Sequence, residues 1–187
     1  MGVVLGEFDE ICEGLGVPWK VKEKTEDLRK SIEEFSFTGQ KRKGIYVATF
    51  YAACRKMGVP RSYKELADAS GVSNETIIKS LKFLSEKLDL HLPPYDPRDC
   101  VTYLVEKLDL SESVGDKAKQ ILEKANEENL VAGRNPFGVS AAAIQMACSS
   151  EDVEITYKKI ADAATITTVS IRSSRKEMKD ELDSNFS

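Results

Sequence analysis

Metal-ligating and nucleophilic side chains are scarce in this chain. Its 187 residues include one histidine, His91, and four cysteines: Cys12, Cys54, Cys100 and Cys148. The cysteines are widely separated and form no CxxC pair, so they read as structural thiols in a reducing compartment, ahead of disulfides or zinc. His91 stands before Leu92-Pro93-Pro94 with no second ligand nearby, and reads as a connecting residue. No glycine-rich loop precedes a helical pattern and no nucleophile–base pair is visible, so the chain is expected not to be an enzyme. No apolar run approaches the length of a membrane span, and nothing at the N-terminus resembles a signal peptide, which sets the expectation of an intracellular protein that does not enter membranes. Strand-like alternation is missing as well. The expected fold class is therefore all-α.

What is present is helical periodicity, arranged twice. Val4, Phe8, Ile11, Cys12 and Leu15 keep helical spacing, and Val21, Leu28, Ile32 and Phe35 form the next apolar face after Pro18. A loop is expected over Thr38-Gly39-Gln40-Lys41-Arg42-Lys43-Gly44, leading into IYVATFYAAC, apolar nearly all round and hence a central helix. Ser62 with Glu65 makes a capping-box pattern, and Ser73 is placed to cap the helix carrying Ile77, Leu81, Leu84 and Leu88. Three prolines between Pro93 and Pro97 then break the pattern. It restarts with Val101, Leu104, Val105 and Leu108, then Val114 to Ala125, then the alanine-rich run after Gly133-Arg134-Asn135-Pro136.

The restart is a duplication. A shift of 94 residues pairs Gly39 with Gly133, Ala53-Cys54 with Ala147-Cys148, SYKELADA with TYKKIADA, and Ile77 with Ile171. Two copies of one five-helix unit are expected, over 1–91 and 98–187, joined by a linker at 92–97.

The stretch TYKKIADAATITTVSIRSSRKEMK has the pattern of a helix-turn-helix, with Thr156 and Thr167 as caps. On its second helix Ile171, Ser174, Met178 and Leu182 share one side, while Val169, Arg172, Lys176 and Lys179 form a separate arc. An arginine beside a small apolar residue suits a guanine edge and a thymine methyl. An ordinary solvated helix face would fit the same spacing. The equivalents in the first copy are Glu75, Ile78, Lys82 and Ser85, a divergence that favours a role for the second copy's arc. The net charge of −4 is not that of a general nucleic-acid binder, but from Thr38 to Lys64 there are seven Lys/Arg and no Asp or Glu.

KGIYVATFYAACRKMGVPRSYKELADASGVS resembles the first cyclin-type repeat of the transcription factor IIB family, and LVAGRNP followed by YKKIADAATITTVSIRSS resembles its second. The likeness covers nearly the whole chain, and archaeal-type members fit best. It implies a general initiation factor core that docks on TATA-binding protein already placed on promoter DNA, and that contacts RNA polymerase. It also implies that Val169 and Arg172 read bases upstream of the TATA box. Ser170, Ser173, Lys176 and Arg134 are phosphate candidates. Lys41, Arg42 and Lys43 are candidates for TATA-binding protein or for DNA downstream of the TATA box. An archaeal member would be cytoplasmic and a eukaryotic one nuclear. The family's N-terminal zinc ribbon is not among these residues, so no cofactor is expected and the polymerase contact is expected to be reduced or lost. Where the family often has Gly-Arg or Gly-Lys in the first repeat, Gly39-Gln40 stands here. A cyclin-like adaptor that binds only protein is the alternative.

Overall fold

The computed structural model describes residues 15–33, 35 and 37–184, and its elements there are helices without strands. The opening helix expected on Val4, Phe8, Ile11 and Cys12 lies outside those residues. The chain divides into two compact units between Pro94 and Tyr95.

The first unit contains α1 (Trp19–Lys30), α2 (Gly39–Lys56), α3 (Tyr63–Ser70) and α4 (Asn74–Lys87). Helix α2 is the centre, with α1, α3 and α4 packed on it. Its inner residues, including Ile45, Ala48, Phe50 and Ala52, are buried, as its all-round apolar sequence predicts. Phe35, Phe37 and Phe83 close one end, with Phe37 and Phe83 edge to face at 5.6 Å between centroids. The capping box is formed: Ser62 Oγ accepts from the Glu65 N–H at 3.2 Å, and the Ser62 N–H donates to Glu65 Oε2 at 3.3 Å. Ser73 Oγ likewise accepts from the Thr76 N–H.

Helix α2 begins at Gly39, so the loop expected over 38–44 is a correction. Thr38 enters in an extended conformation and its carbonyl accepts from the Arg42 N–H at 3.3 Å. Gly44, which reads as a loop glycine, sits inside the helix because there is no room for a side chain. A Cβ there would lie 2.7 Å from Thr76 Cγ2 and 2.9 Å from Ser80 Oγ. Trp19 is 66% exposed at the first position of α1. Two cations of the basic region are internal fasteners. The Arg55 guanidinium donates to the Leu92 and Pro93 carbonyls, and the buried Arg61 donates to Leu15 O at 2.7 Å.

The second unit contains α5 (Pro97–Leu108), α6 (Glu112–Glu127), α7 (Pro136–Ser150), α8 (Tyr157–Ala164) and α9 (Thr168–Ser184). Pro97 is the first residue of α5 rather than part of a connection. Its missing N–H costs nothing at that position, and Asp96 caps the helix by accepting from the Arg98 N–H at 2.8 Å. Helix α7 is the core, buried nearly throughout, with α5, α6, α8 and α9 around it.

The two units share a helix crossing that the repeat alignment makes visible. Gly138, the counterpart of Gly44, faces Ser170 and Ser174 of α9, just as Gly44 faces Thr76 and Ser80 of α4. In each unit the central helix meets the last helix across a glycine and two small hydroxyl residues.

Candidate nucleic-acid interface

The helix-turn-helix is built from its caps inward. Thr156 Oγ1 accepts from the Lys159 N–H at 3.1 Å and starts α8. The turn passes through Thr165 in the left-handed region at φ 57°, and the Ile166 N–H closes it on Ala161 O at 3.0 Å. Thr167 Oγ1 then accepts from the Ser170 N–H at 3.1 Å and starts α9, as its sequence position predicts.

Burial fixes the rotation of α9. Ile171 and Met178 are enclosed, and two such side chains stabilise the contact by about 1.5–3 kcal/mol each. The opposite arc is thereby turned outward. Val169 is 70% exposed, and Arg172, Ser173, Lys176 and Lys179 are exposed with it. An aliphatic side chain held that far into water contributes little to folding here. Arg172 lies over the ring of Tyr157, the first residue of α8, at 4.9 Å from guanidinium carbon to centroid. Sequence reasoning missed this tyrosine, although the repeat alignment held a signal. Tyr63 is its counterpart, but Gln145 stands where the first unit has Tyr51.

The other expected residues separate into two groups. Ser170 is half-buried at the α7–α9 crossing, while Ser173 and Lys176 remain on the open face. Arg134 is joined to Glu177 of α9 in an ion pair, a partner the sequence pattern did not suggest. On the first unit the equivalent helix cancels its own charge. Lys79 pairs with Glu75 at 2.6 Å, Lys82 lies 3.9 Å from Glu86, and Ile78, at the position of Arg172, is 49% exposed. No comparable arc of unpaired cations forms there.

Lys41, Arg42 and Lys43 fall in the first turns of α2, where positive charge opposes the helix dipole. Aromatic contacts offset part of that cost. Lys41 Nζ is 5.8 Å from the Phe37 centroid and 6.0 Å from that of Phe83; Arg42 lies over Tyr46 at 5.5 Å. A cationic helix start is a favourable place for a phosphate or a carboxylate. Among the described residues no group of three or more His, Cys, Asp or Glu could hold a metal ion, and no helix is long and apolar enough to cross a membrane.

A family profile described as "Transcription factor TFIIB repeat" matches this chain twice, over residues 7–87 and 91–181. The chain belongs to the TFIIB-repeat family. Members of this family are transcription factors rather than enzymes. Similar proteins include "Transcription initiation factor IIB" of Methanothermococcus thermolithotrophicus, 38% identical over 184 residues, covering 98% of this chain and 54% of the relative. "Transcription initiation factor IIB 7" of Halobacterium salinarum is 36% identical over 174 residues, 92% of this chain and 54% of the relative. "Transcription initiation factor IIB" of Methanocaldococcus jannaschii is 37% identical over 184 residues, 98% of this chain and 27% of its own length. The chain thus spans about half the length of the first two TFIIB-family relatives and about a quarter of the third.

Proposed function

We propose that this chain is the core of a general transcription initiation factor, which binds a complex of TATA-binding protein with promoter DNA and reads bases upstream of the TATA box. The observation that carries the reading is the outward arc of α9. There an exposed valine and an unpaired arginine sit one turn apart at the start of a recognition-type helix, in a chain of the TFIIB-repeat family. Arg172 offers two parallel donors to a guanine edge, and Val169 packs on a methyl or rejects polar groups; each such contact discriminates by about 1–3 kcal/mol. Ser173 and Lys176 serve phosphates beside the reading helix, whereas Ser170, turned toward Gly138, is the least accessible of the three phosphate candidates on α9. Arg134 joins them only by exchanging Glu177 for a phosphate oxygen. The first unit works differently. Its cationic α2 start meets DNA downstream of the TATA box or an acidic surface of TATA-binding protein, and its charge-cancelled α4 with Ile78 suits protein. RNA polymerase is the remaining expected partner, the reading assigns no cofactor, and the site of action is intracellular.

The test is a gel shift of the chain with a TATA-containing duplex, with and without an archaeal TATA-binding protein. Weak binding to DNA alone and a supershift that depends on bases upstream of TATA are expected, because two modest interfaces on one chain reinforce each other. Arg172→Ala should relax the upstream preference. Replacing Lys41, Arg42 and Lys43 together by alanine should weaken binding on every sequence and flatten its salt dependence. A folded protein that gives no supershift at moderate salt would reduce the chain to a protein-binding adaptor.

A further inference from the structure

We infer that Tyr157 is a positioning residue for Arg172, the platform that keeps the guanidinium ready for a base edge. The inference rests on the reading of α9 as the DNA-contacting helix. Its basis is a two-residue exchange around a retained tyrosine in the two units. In the first unit Tyr63 packs on Tyr51 with ring centroids 4.5 Å apart, and burial together with the Tyr51 hydroxyl pushes its phenol well above the ordinary range. The residue at the Arg172 position there is Ile78. In the second unit the tyrosine is kept as Tyr157, but the Tyr51 position is Gln145, a buried amide whose Nε2 donates to Ser149 at 2.9 Å. Without an aromatic partner inside, the ring of Tyr157 lies instead under the one arginine of the arc.

That placement has a chemical consequence. A guanidinium attracted to a ring face is held by its π surface, so its N–H donors are not consumed. Arg172 makes no hydrogen bond or ion pair among the described residues, so those donors are all available. An arginine ordered before DNA arrives also loses less rotamer freedom on binding than one waving in solvent. A leucine at position 157 would keep an apolar side chain at the start of α8 but would offer the cation no π face.

The experiment uses the full chain with Tyr157→Phe, Tyr157→Leu, Arg172→Ala and the double variant Tyr157→Leu/Arg172→Ala. In the free protein, the side-chain proton resonances of Arg172 should show a ring-current shift that survives Tyr157→Phe and vanishes in Tyr157→Leu. In the complex with TATA-binding protein, the measured quantity is a ratio of affinities. It compares a duplex selected from a pool randomised upstream of the TATA box with one whose upstream bases are permuted. Tyr157→Leu should lower that ratio by about two- to five-fold, Tyr157→Phe should leave it unchanged, and Tyr157→Leu should have no effect once Arg172 is alanine. An unchanged ratio in Tyr157→Leu overturns the inference, as does equal weakening on both duplexes accompanied by a lower melting temperature. If Arg172→Ala itself leaves the ratio intact, the DNA-reading assignment fails first and takes the role of Tyr157 with it.

Discussion

Gly44→Ala and Gly138→Ala place the same methyl group at equivalent points of the two units, and the structure assigns them opposite outcomes. Both glycines are helical, so replacement by alanine gains up to about 1 kcal/mol of helix propensity in each. At Gly138 the new Cβ would meet Asn135 Cβ at 3.7 Å, Ser174 Oγ at 3.8 Å and Ser170 Oγ at 3.9 Å, which are ordinary contacts. At Gly44 it would meet Thr76 Cγ2 at 2.7 Å. Thr76 cannot easily turn away, because its hydroxyl is bonded to Ser73 Oγ at 2.9 Å and its β-branch limits it to few rotamers on a helix. Overpacking of this kind costs about 1–3 kcal/mol. Gly138→Ala should therefore stabilise by up to about 1 kcal/mol, and Gly44→Ala should destabilise by up to about 2 kcal/mol. Thr76→Ser, which copies Ser170 of the other unit, removes the clashing methyl, leaving only the rotatable Ser80 hydroxyl at 2.9 Å, and should recover part of the loss in the Gly44→Ala background. Urea unfolding followed by circular dichroism gives the magnitudes, and hydrogen exchange on peptides from α2 and α7 assigns each change to its unit. Equal shifts in the two alanine variants, or no recovery by Thr76→Ser, would refute the crossing geometry.

Three further outcomes follow from other sites. Thr165→Gly should stabilise the second unit by about 1 kcal/mol in thermal or urea unfolding, because a β-branched residue at φ 57° is strained where the first unit uses Gly71 at φ 67°. Asp96→Ala should cost about 1 kcal/mol at neutral pH through loss of the α5 cap. The Arg98 side chain holds the Asp96 carboxyl below its ordinary range, so its stabilising effect is complete above that range and is lost as pH falls through the depressed value; unfolding curves of the two proteins should converge in acid. Cys54, Cys100 and Cys148 are buried, and burial raises the Cys148 thiol, keeping it protonated at neutral pH. Iodoacetamide at pH 7.5 should modify these three only after denaturation, as read by peptide mass mapping.

Much of this architecture was legible in the sequence because local hydrogen-bond chemistry decides it. Ser62, Ser73, Ser111, Thr156 and Thr167 each cap the helix that follows them. The outward arc of α9 was legible too, since Ile171 and Met178 fix the helix rotation and leave Val169 and Arg172 no inward alternative. What escaped depends on contacts distant in sequence. The early start of α2 was hidden because Gly44 looks like a breaker until Thr76 and Ser80 are seen against it. Pro97 looked like part of a connection until Asp96 was seen capping the helix it starts. The pairing of Arg134 with Glu177, and of Arg172 with Tyr157, joins residues that no periodicity relates.

Thr165 also bears on the order in which the two units assemble. In the first unit, Gly71 enters the left-handed turn without penalty and Ser62–Glu65 closes a reciprocal cap, so α3 and α4 can approach their native angle from local interactions alone. In the second, an unfolded chain avoids the turn conformation at Thr165, and α8 and α9 take up their angle only when burial of Ile160 and Ile171 in the core of the unit imposes it. The helix pair that carries the arginine should therefore be consolidated late on the folding pathway of its unit, with low φ-values at Ile171, while its counterpart at Ile77 forms early. Two copies of one fold would then reach the same topology by different routes, and one turn residue and one reciprocal cap would be the reason.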